Sequence, residues 1–180
     1  MRARRPLAAL AGRSAGRLSR LIGRGGGSAI GGLVASVIDP RFVRDSFRGL
    51  ASTVVVTGTN GKTTTTSLIC RVARDSGRRA MTNPTGSNLE RGVAAAILPY
   101  MDWGASFRDP ASLHAILELD ERAFIHLGSK LQPSVVVLLN LFRDQLDRYG
   151  EVDATAAGFA ASMDQIQSAT LVVNRLTGTD

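Results

Sequence analysis

The stretch from residue 53 to 67, Thr-Val-Val-Val-Thr-Gly-Thr-Asn-Gly-Lys-Thr-Thr-Thr-Thr-Ser, constrains the fold more than any other part of the sequence. The valines at 54–56 form an uninterrupted β-branched run, which is typical of a strand buried on both faces of a parallel sheet. Gly58 and Gly61 allow positive φ angles and a close approach of backbone N–H groups to a ligand. A helix is predicted to follow, and a helix N-terminus favours an anion. The stretch therefore predicts a strand, a phosphate-binding loop and a helix, in that order.

The polar residues of this loop suit a nucleotide with a magnesium ion. Lys62 is expected to neutralise the β- and γ-phosphates, and the Thr63 hydroxyl to bind magnesium. The threonine-rich run at 63–67 is expected to cap the helix. The strict Gly-x-x-x-x-Gly-Lys-Thr pattern would need a glycine where Val56 stands, so Gly58 supplies the flexibility instead. A glycine-rich turn with an incidental lysine is the alternative, but it does not explain why strand, glycines, Lys-Thr and helix follow in this order.

Strand and helix patterns alternate along the rest of the chain. Strands are predicted at 80–82, 114–119, 134–139 and 171–173, and helices at 64–76, 89–98, 122–131 and 154–167. The alternation predicts an α/β fold with a parallel sheet, flanking helices and right-handed crossovers. Ligands of such sheets lie beyond the carboxyl ends of the strands. The loop at Gly58, the carboxylates near Glu118 and the polar run from Asn140 are therefore expected at one edge.

Acidic residues follow two of the predicted strands. Glu118 is the candidate magnesium ligand, because the metal needs oxygen ligands beyond Thr63. Asp120 and Glu121 are equally compatible with a solvated helix start stabilised by the helix dipole.

The run from 140 to 151, Asn-Leu-Phe-Arg-Asp-Gln-Leu-Asp-Arg-Tyr-Gly-Glu, is unusually polar for a connection after a buried strand. Asp144 and Asp147 are helical neighbours that could serve one site, or they form a local salt-bridge set with Arg143 and Arg148. The run lacks the Asn-Lys-x-Asp expected of a guanine-specific GTPase.

The positive charge is concentrated at the N-terminus. The net charge is +7, yet residues 1–48 hold ten arginines against Asp39 and Asp45, and residues 49–180 hold 12 basic and 13 acidic groups. The globular part has no basic stripe with interleaved aromatics, which argues against a nucleic-acid partner. The single Cys70 supports neither a disulfide framework nor a zinc site and is compatible with the cytoplasm.

The N-terminal segment has the pattern of a basic amphipathic helix. Four leucines (7, 10, 18 and 21) with Ala11 and Ile22 fall on one side, and four arginines (13, 17, 20 and 24) cluster on another. The helix is expected either to contact an anionic membrane surface or to dock its leucines on its own domain. Gly23–Gly32 is predicted to be a flexible breaker, and residues 33–50 a helical lead-in. We therefore divide the chain into a lead-in at 1–48 and a nucleotide-binding domain at 49–180.

Three stretches together resemble the central, ATP-binding domain of the Mur ligase superfamily: residues 57–64, 118–121 and 140–151. With the Asn-Pro-Thr-Gly-Ser-Asn run at 83–88, they are most similar to the MurT family, the ligase subunits of lipid II isoglutaminyl synthase. The resemblance covers about residues 30–175. It implies an ATP-dependent amide ligase of peptidoglycan synthesis, which converts the D-glutamate of lipid II to D-isoglutamine with ammonia from a GatD-like glutaminase partner.

The resemblance also implies residue roles. The ATP phosphates are assigned to Gly58, Thr59, Asn60, Gly61, Lys62, Thr63, Thr64, Asn88 and Asn140. Lys62 and Glu118 are the catalytic candidates, and Thr63 and Glu118 are the magnesium ligands. Gln145 stands where many relatives place a histidine on a second metal, but the region near Phe159 lacks the carbamoylated lysine that usually accompanies it.

Two further expectations concern what the chain contains. The family's structural zinc is not expected here because its cysteines are absent, and the chain is predicted to be a truncated N-terminal portion. The alternatives are a folylpolyglutamate synthase-like ligase, which shares the loop but not the run at 140–151, and a non-catalytic ATP-binding or membrane-associated module.

Overall fold

The computed structural model describes residues 4–21, 27–83, 89–141 and 151–174. Its strands are β1 (Ser52–Thr57), β2 (Arg79–Met81), β3 (Leu113–Glu118), β4 (Val135–Leu138) and β5 (Thr170–Val173). Its α-helices are α1 (Arg4–Leu21), α2 (Gly27–Ile38), α3 (Phe42–Ser46), α4 (Lys62–Asp75), α5 (Glu90–Ile97), α6 (Glu121–Leu131) and α7 (Glu151–Asp164). The predicted alternation of strands and helices is confirmed.

The five strands form one parallel sheet in the order β2-β3-β1-β4-β5. β1 lies in the middle, with Val56 paired to Glu118 of β3 and to Val137 of β4. The carboxyl ends of β1, β3 and β4 are therefore neighbours, as the sequence predicts for ligand-binding parallel sheets.

The two faces of the sheet are covered differently. On one face, Cys70 of α4 is a small buried residue that packs with Ala80 of β2 and Ile116 of β3. The larger core lies on the other face, where α5, α6 and α7 contribute Val93, Phe124 and Phe159. The rings of Phe124 and Phe159 stack with centroids 4.5 Å apart.

The lead-in helices α1 and α2 pack against each other, and α2 packs against α5. Ala8, Ala35 and Phe42 belong to the same hydrophobic cluster as the sheet residue Val55. A Cβ atom at Gly12 would lie 2.6 Å from the carbonyl oxygen of Gly31, so the two helices meet backbone to backbone. Small residues, not leucines, make this contact.

Two expectations about the lead-in are thus wrong. Gly27–Gly32 is helical and not a flexible breaker. A Cβ atom at Gly32 would overlap the Arg91 carbonyl oxygen, so glycine is needed where α2 meets α5. The predicted docking of leucines on the domain fails as well, because Leu7, Leu10, Leu18 and Leu21 are all exposed.

Trp103 follows α5 and lies on the surface, where 74% of its area is exposed. The Arg13 guanidinium lies 5.9 Å from the ring centroid, and its other contacts are the backbone oxygens of Leu98, Met101 and Asp102. Arg13 therefore ties α1 to the segment after α5.

Among the described residues, no helix combines the length and the apolar character needed to cross a bilayer.

Candidate nucleotide site

The turn between β1 and α4 is a glycine loop held in conformations that favour glycine. Gly58 has φ +129° and Gly61 has φ +85°. A Cβ atom at Gly58 would lie 2.7 Å from the carbonyl oxygen of Asn140, so the loop also needs glycine there for space. The predicted order of strand, loop and helix is confirmed.

Asn140 fixes the loop from the neighbouring strand end. Its backbone oxygen accepts a hydrogen bond from the Thr59 N–H at 3.0 Å. Its side-chain oxygen accepts from the backbone N–H of Asn60 at 2.8 Å, and its side-chain N–H₂ donates to the backbone oxygen of Asn60 at 3.1 Å. The structure thus shows Asn140 as a scaffold for the loop, and its direct contact with ATP stays a prediction.

The helix after the loop begins at Lys62, and its N-cap is Gly61. The threonine run therefore lies inside the helix, and the prediction that it caps the helix is wrong, since no side chain caps α4. No side chain therefore caps the first N–H groups of α4. Uncapped N–H groups at a helix N-terminus favour binding of an anion. Thr63 and Thr64 are exposed on this first turn.

Lys62 folds back over the loop. Its Nζ donates hydrogen bonds to the backbone oxygens of Gly58 and Thr59, the latter at 3.0 Å. An ammonium has three donors, so one remains for a phosphate oxygen in this arrangement. The cation is thereby held at the loop, where a bound phosphate would need it.

Glu118 lies at the end of β3, and it is two residues beyond Ile116, so it shares the sheet face that α4 covers. The residue is only 8% exposed. Its carboxylate has no hydrogen bond or ion pair to any of the residues that the structure describes. A carboxylate without a protein partner at the strand end beside the loop is available to a cation, so the position fits a metal ligand.

Asn83 holds Glu118 in this place. The side-chain N–H₂ of Asn83 donates to the backbone carbonyl oxygen of Glu118 at 2.8 Å, and its side-chain oxygen accepts from the backbone N–H of Glu118 at 2.8 Å. Asn83 is buried just after β2, so the bridge joins the ends of two neighbouring strands.

The two carboxylates after Glu118 have different roles. Asp120 caps α6 by accepting from the Ala123 N–H at 2.6 Å, as the helix-start interpretation predicts. Glu121 instead accepts a hydrogen bond from the Thr59 hydroxyl at 2.9 Å. The carboxyl end of β3 is thus linked to the loop by a side chain.

The residues present fit a magnesium nucleotide. The loop has no room for a side chain at Gly58, Lys62 supplies a cation, and Thr63 and Glu118 have oxygen atoms that can bind a metal. Within the described ranges there is no cluster of three or more His, Cys, Asp or Glu residues suited to a metal. Magnesium does not need one, because it keeps several waters and binds one or two carboxylates plus phosphates.

Some predicted site residues lie outside the described residues, namely Asn88, Asp144, Gln145 and Asp147. Sequence reasoning missed the structural roles of Asn83 and Glu121. Asn83 is the last residue before a Pro-Thr-Gly-Ser run. The available signal for its role was an asparagine at the end of a predicted strand, next to the end of a second strand.

The sequence from residue 56 to 177 matches the Mur ligase middle domain family, which is more than half of the chain. The chain belongs to the Mur ligase middle domain family. The match begins inside β1, and the loop, Glu118 and Asn140 lie within the matched range.

Two curated MurT subunits of lipid II isoglutaminyl synthase (glutamine-hydrolysing) are similar to this Mur ligase chain. The subunit of Streptococcus pneumoniae is 36% identical over 171 residues, covering 93% of this chain and 36% of that protein. The subunit of Staphylococcus aureus strain COL is 30% identical over 147 residues, covering 82% of this chain and 32% of that protein. The predicted resemblance to MurT is confirmed, and the chain spans about a third of the length of these relatives.

Another relative is a UDP-N-acetylmuramoylalanine–D-glutamate ligase of Caulobacter sp. strain K31, which is 39% identical over 104 residues. That match covers 58% of this chain and 19% of the relative.

Solved Mur ligase structures share the fold. MurF of Acinetobacter baumannii superimposes with a TM-score of 0.60 at 18% identity, covering 80% of this chain and 30% of that one. MurF of Thermotoga maritima, determined in complex with ADP, gives a TM-score of 0.59 at 22% identity, covering 77% and 32%. The predicted Mur ligase-like parallel sheet with flanking helices, preceded by an N-terminal helix, is confirmed.

Proposed function

We propose that this chain is the ATP-binding part of a MurT-type ligase subunit, which amidates the D-glutamate of lipid II to D-isoglutamine. The similarity to MurT carries the proposal, because it covers 93% of the chain whereas the family match starts only at residue 56. It therefore takes in most of the basic lead-in, and the D-glutamate ligase match covers only 58% of the chain.

In the proposed reaction, an oxygen of the D-glutamate α-carboxylate attacks the γ-phosphorus of ATP, and ADP leaves. Ammonia then attacks the carbonyl carbon of the resulting acyl phosphate, inorganic phosphate leaves, and one proton is lost to give the amide. The charge on the transferring phosphoryl group must be stabilised by cations and N–H donors, which is the main work of a phosphoryl-transfer site.

The residues of this chain divide that work. The N–H groups of Gly58 and of residues 61–64 would hold the phosphates, since those of Thr59 and Asn60 donate to Asn140, and Lys62 would neutralise the phosphates from the loop side. Thr63 and Glu118 would hold magnesium, which supplies Lewis-acid stabilisation of the phosphate oxygens when bound. Asn83 and Asn140 do not react but keep Glu118 and the loop in place.

The proposal includes a partner and a location. The names of the MurT relatives describe a subunit of a glutamine-hydrolysing enzyme, so we infer a GatD-like glutaminase subunit as the source of ammonia. A lipid-linked substrate and a supply of ATP together place the reaction in the cytoplasm, beside the membrane.

The first test is nucleotide binding by this chain. Titration calorimetry is expected to show Mg-ATP binding that the Lys62→Ala variant loses. Wild-type protein that is folded by circular dichroism and takes up no Mg-ATP would overturn the proposal.

The second test addresses the reaction itself. The natural polypeptide that carries this chain is incubated with ATP, lipid II and ammonium chloride, and mass spectrometry of the stem peptide should show the one-dalton decrease that replaces OH by NH₂. Ammonium removes the need for the glutaminase, so the ligase and partner hypotheses are tested separately. Addition of a whole D-glutamate to UDP-N-acetylmuramoylalanine instead would favour the D-glutamate ligase activity.

A further inference from the structure

The N-terminal helical hairpin has an aliphatic surface that faces away from the rest of the protein. Leu7, Leu10, Leu18 and Leu21 of α1 are 45–84% exposed, and their spacing puts them on one stripe. We call these four residues the hairpin surface.

The hairpin surface lies on the side of α1 opposite to its buried contact with α2. Gly12 and Gly31 face the partner helix, and Gly32 faces α5, so the side chains that remain on the outside are the large aliphatic ones. Soluble amphipathic helices normally bury their large residues and expose their small or polar ones. The opposite arrangement here indicates that the leucines are kept for another contact.

The segment that carries this surface has charge of one sign, and Asp39 and Asp45 lie beyond it in a cleft that Arg4 also lines. Residues 1–38 contain seven arginines and no acidic residue, and the first acid is Asp39. Arg4 and Arg17 lie within about a quarter turn of the leucine stripe. The same segment contains no aromatic residue, the first being Phe42.

These features identify the occupant by its chemistry. Protein interfaces are enriched in aromatic residues at their centre, which this surface lacks. A second copy of the chain would bring two cationic surfaces together, which is unfavourable. A bilayer with anionic headgroups offers apolar chains to the leucines and negative charge to the arginines.

We propose that the α1–α2 hairpin lies in the headgroup region of an anionic membrane, with the hairpin surface inserted and Arg4 and Arg17 among the headgroups. The contact is peripheral. It does not depend on the ligase chemistry, so it can fail without affecting the proposed function.

The test is sedimentation of the chain with vesicles of phosphatidylcholine containing about 30 mol% phosphatidylglycerol, compared with pure phosphatidylcholine. The wild-type chain should bind the anionic vesicles, bind the neutral ones several-fold less, and be released by about 0.5 M salt.

Two matched variants separate the hairpin surface from exposed hydrophobic residues in general. Leu7→Ser/Leu18→Ser removes side chains that are 61% and 58% exposed, and Leu68→Ser/Val72→Ser on α4 removes side chains that are 61% and 57% exposed. The α1 pair should weaken vesicle binding at least about fivefold, whereas the α4 pair should stay within about twofold of wild type. An Arg4→Gln/Arg17→Gln variant should lose the preference for anionic vesicles.

Circular dichroism and Mg-ATP titration of each variant show whether it is folded and whether the nucleotide site is intact. The proposal is overturned if the folded wild type does not bind anionic vesicles, or if the α1 and α4 pairs weaken binding equally. It is also overturned if light scattering shows self-association that only the α1 pair abolishes, since the surface would then join two copies of the chain.

Discussion

The side-chain amide of Asn83 satisfies both backbone groups of Glu118, with two hydrogen bonds of 2.8 Å each. The bridge joins the carboxyl ends of β2 and β3 beside the phosphate-binding loop. Because both atoms of the amide are used, the backbone of Glu118 has little freedom to move, and its carboxylate is presented from a fixed position. Asn140 makes the same two-point contact with Asn60 on the other side of the loop.

We expect Asn83→Ala to lower the free energy of unfolding by about 2–4 kcal/mol, because it leaves two buried backbone groups of Glu118 without partners. Urea denaturation measures this loss. The variant should also lose most of the magnesium-dependent part of ATP affinity, while magnesium-free ATP binding changes less than about threefold. An equal loss with and without magnesium would show that Asn83 does not act through Glu118.

Lys62→Ala should weaken Mg-ATP binding by about two orders of magnitude, because the ammonium is the charged side chain of the loop that would face the phosphates. The chain contains two lysines, and the other, Lys130, makes an exposed salt bridge of 2.8 Å with Glu90. Lys130→Ala is therefore a control for loss of positive charge. Calorimetry should find its affinity unchanged, and similar losses in both variants would contradict the assignment.

Gly58→Ala and Gly49→Ala separate backbone strain from steric overlap. Both glycines have positive φ, but a Cβ atom at Gly49 meets nothing within 4 Å, whereas one at Gly58 lies 2.7 Å from the Asn140 oxygen. Gly49→Ala should cost about 1 kcal/mol of stability, and Gly58→Ala at least about 2 kcal/mol together with nucleotide binding. Denaturation and ATP titration check both, and equal stability losses would show that the loop adapts to the added methyl group.

Glu118→Gln should separate stability from function. The residue is 8% exposed and its carboxylate has no partner among the described residues, so replacing it by a neutral amide should leave the free energy of unfolding without magnesium equal or higher. The additional thermal stabilisation that Mg-ATP gives the wild type should disappear. Melting curves with and without Mg-ATP measure both, and a large destabilisation without magnesium would show that the carboxylate has a structural role.

Burial raises the pKa of the Cys70 thiol, although Arg74 and the hydrogen bond with Thr82 lower it in part. The folded state therefore favours the thiol over the thiolate. Its stability contribution is complete below the usual thiol pKa and is lost as the pH rises through the raised value. Iodoacetamide should label the native chain far more slowly than the urea-unfolded chain, and Cys70→Ala should reduce the alkaline decrease in stability. Rapid labelling of native protein at neutral pH would contradict this.

The order of elements and the position of the site could be predicted because they depend on local patterns. The valines at 54–56, the glycines of the loop and the aliphatic run before Asn140 each specify their own structure, and the parallel-sheet rule then brings their ends together. Prediction failed where a contact between distant segments decided the outcome. The glycines of α2 read as a breaker because their contacts, with Gly12 and the Arg91 backbone, are not visible in local sequence.

The side-chain bridges could not be predicted for the same reason. Asn83 precedes Glu118 by 35 residues, and Thr59 precedes Glu121 by 62. A polar residue at a strand end has many potential partners until the strand order is known. The leucines of α1 were correctly placed on one face, but the direction of that face depends on which helix packs behind it.

The direct contact between the α2 and α5 backbones at Gly32 has a consequence for orientation. Because no side chains separate the two backbones at this point, the angle between the helices can change little. If the hairpin rests on a bilayer, the tilt of the β-sheet relative to the lipid plane is then set by the fold itself. The phosphate-binding edge would be presented to a lipid-anchored molecule at a constant height and angle.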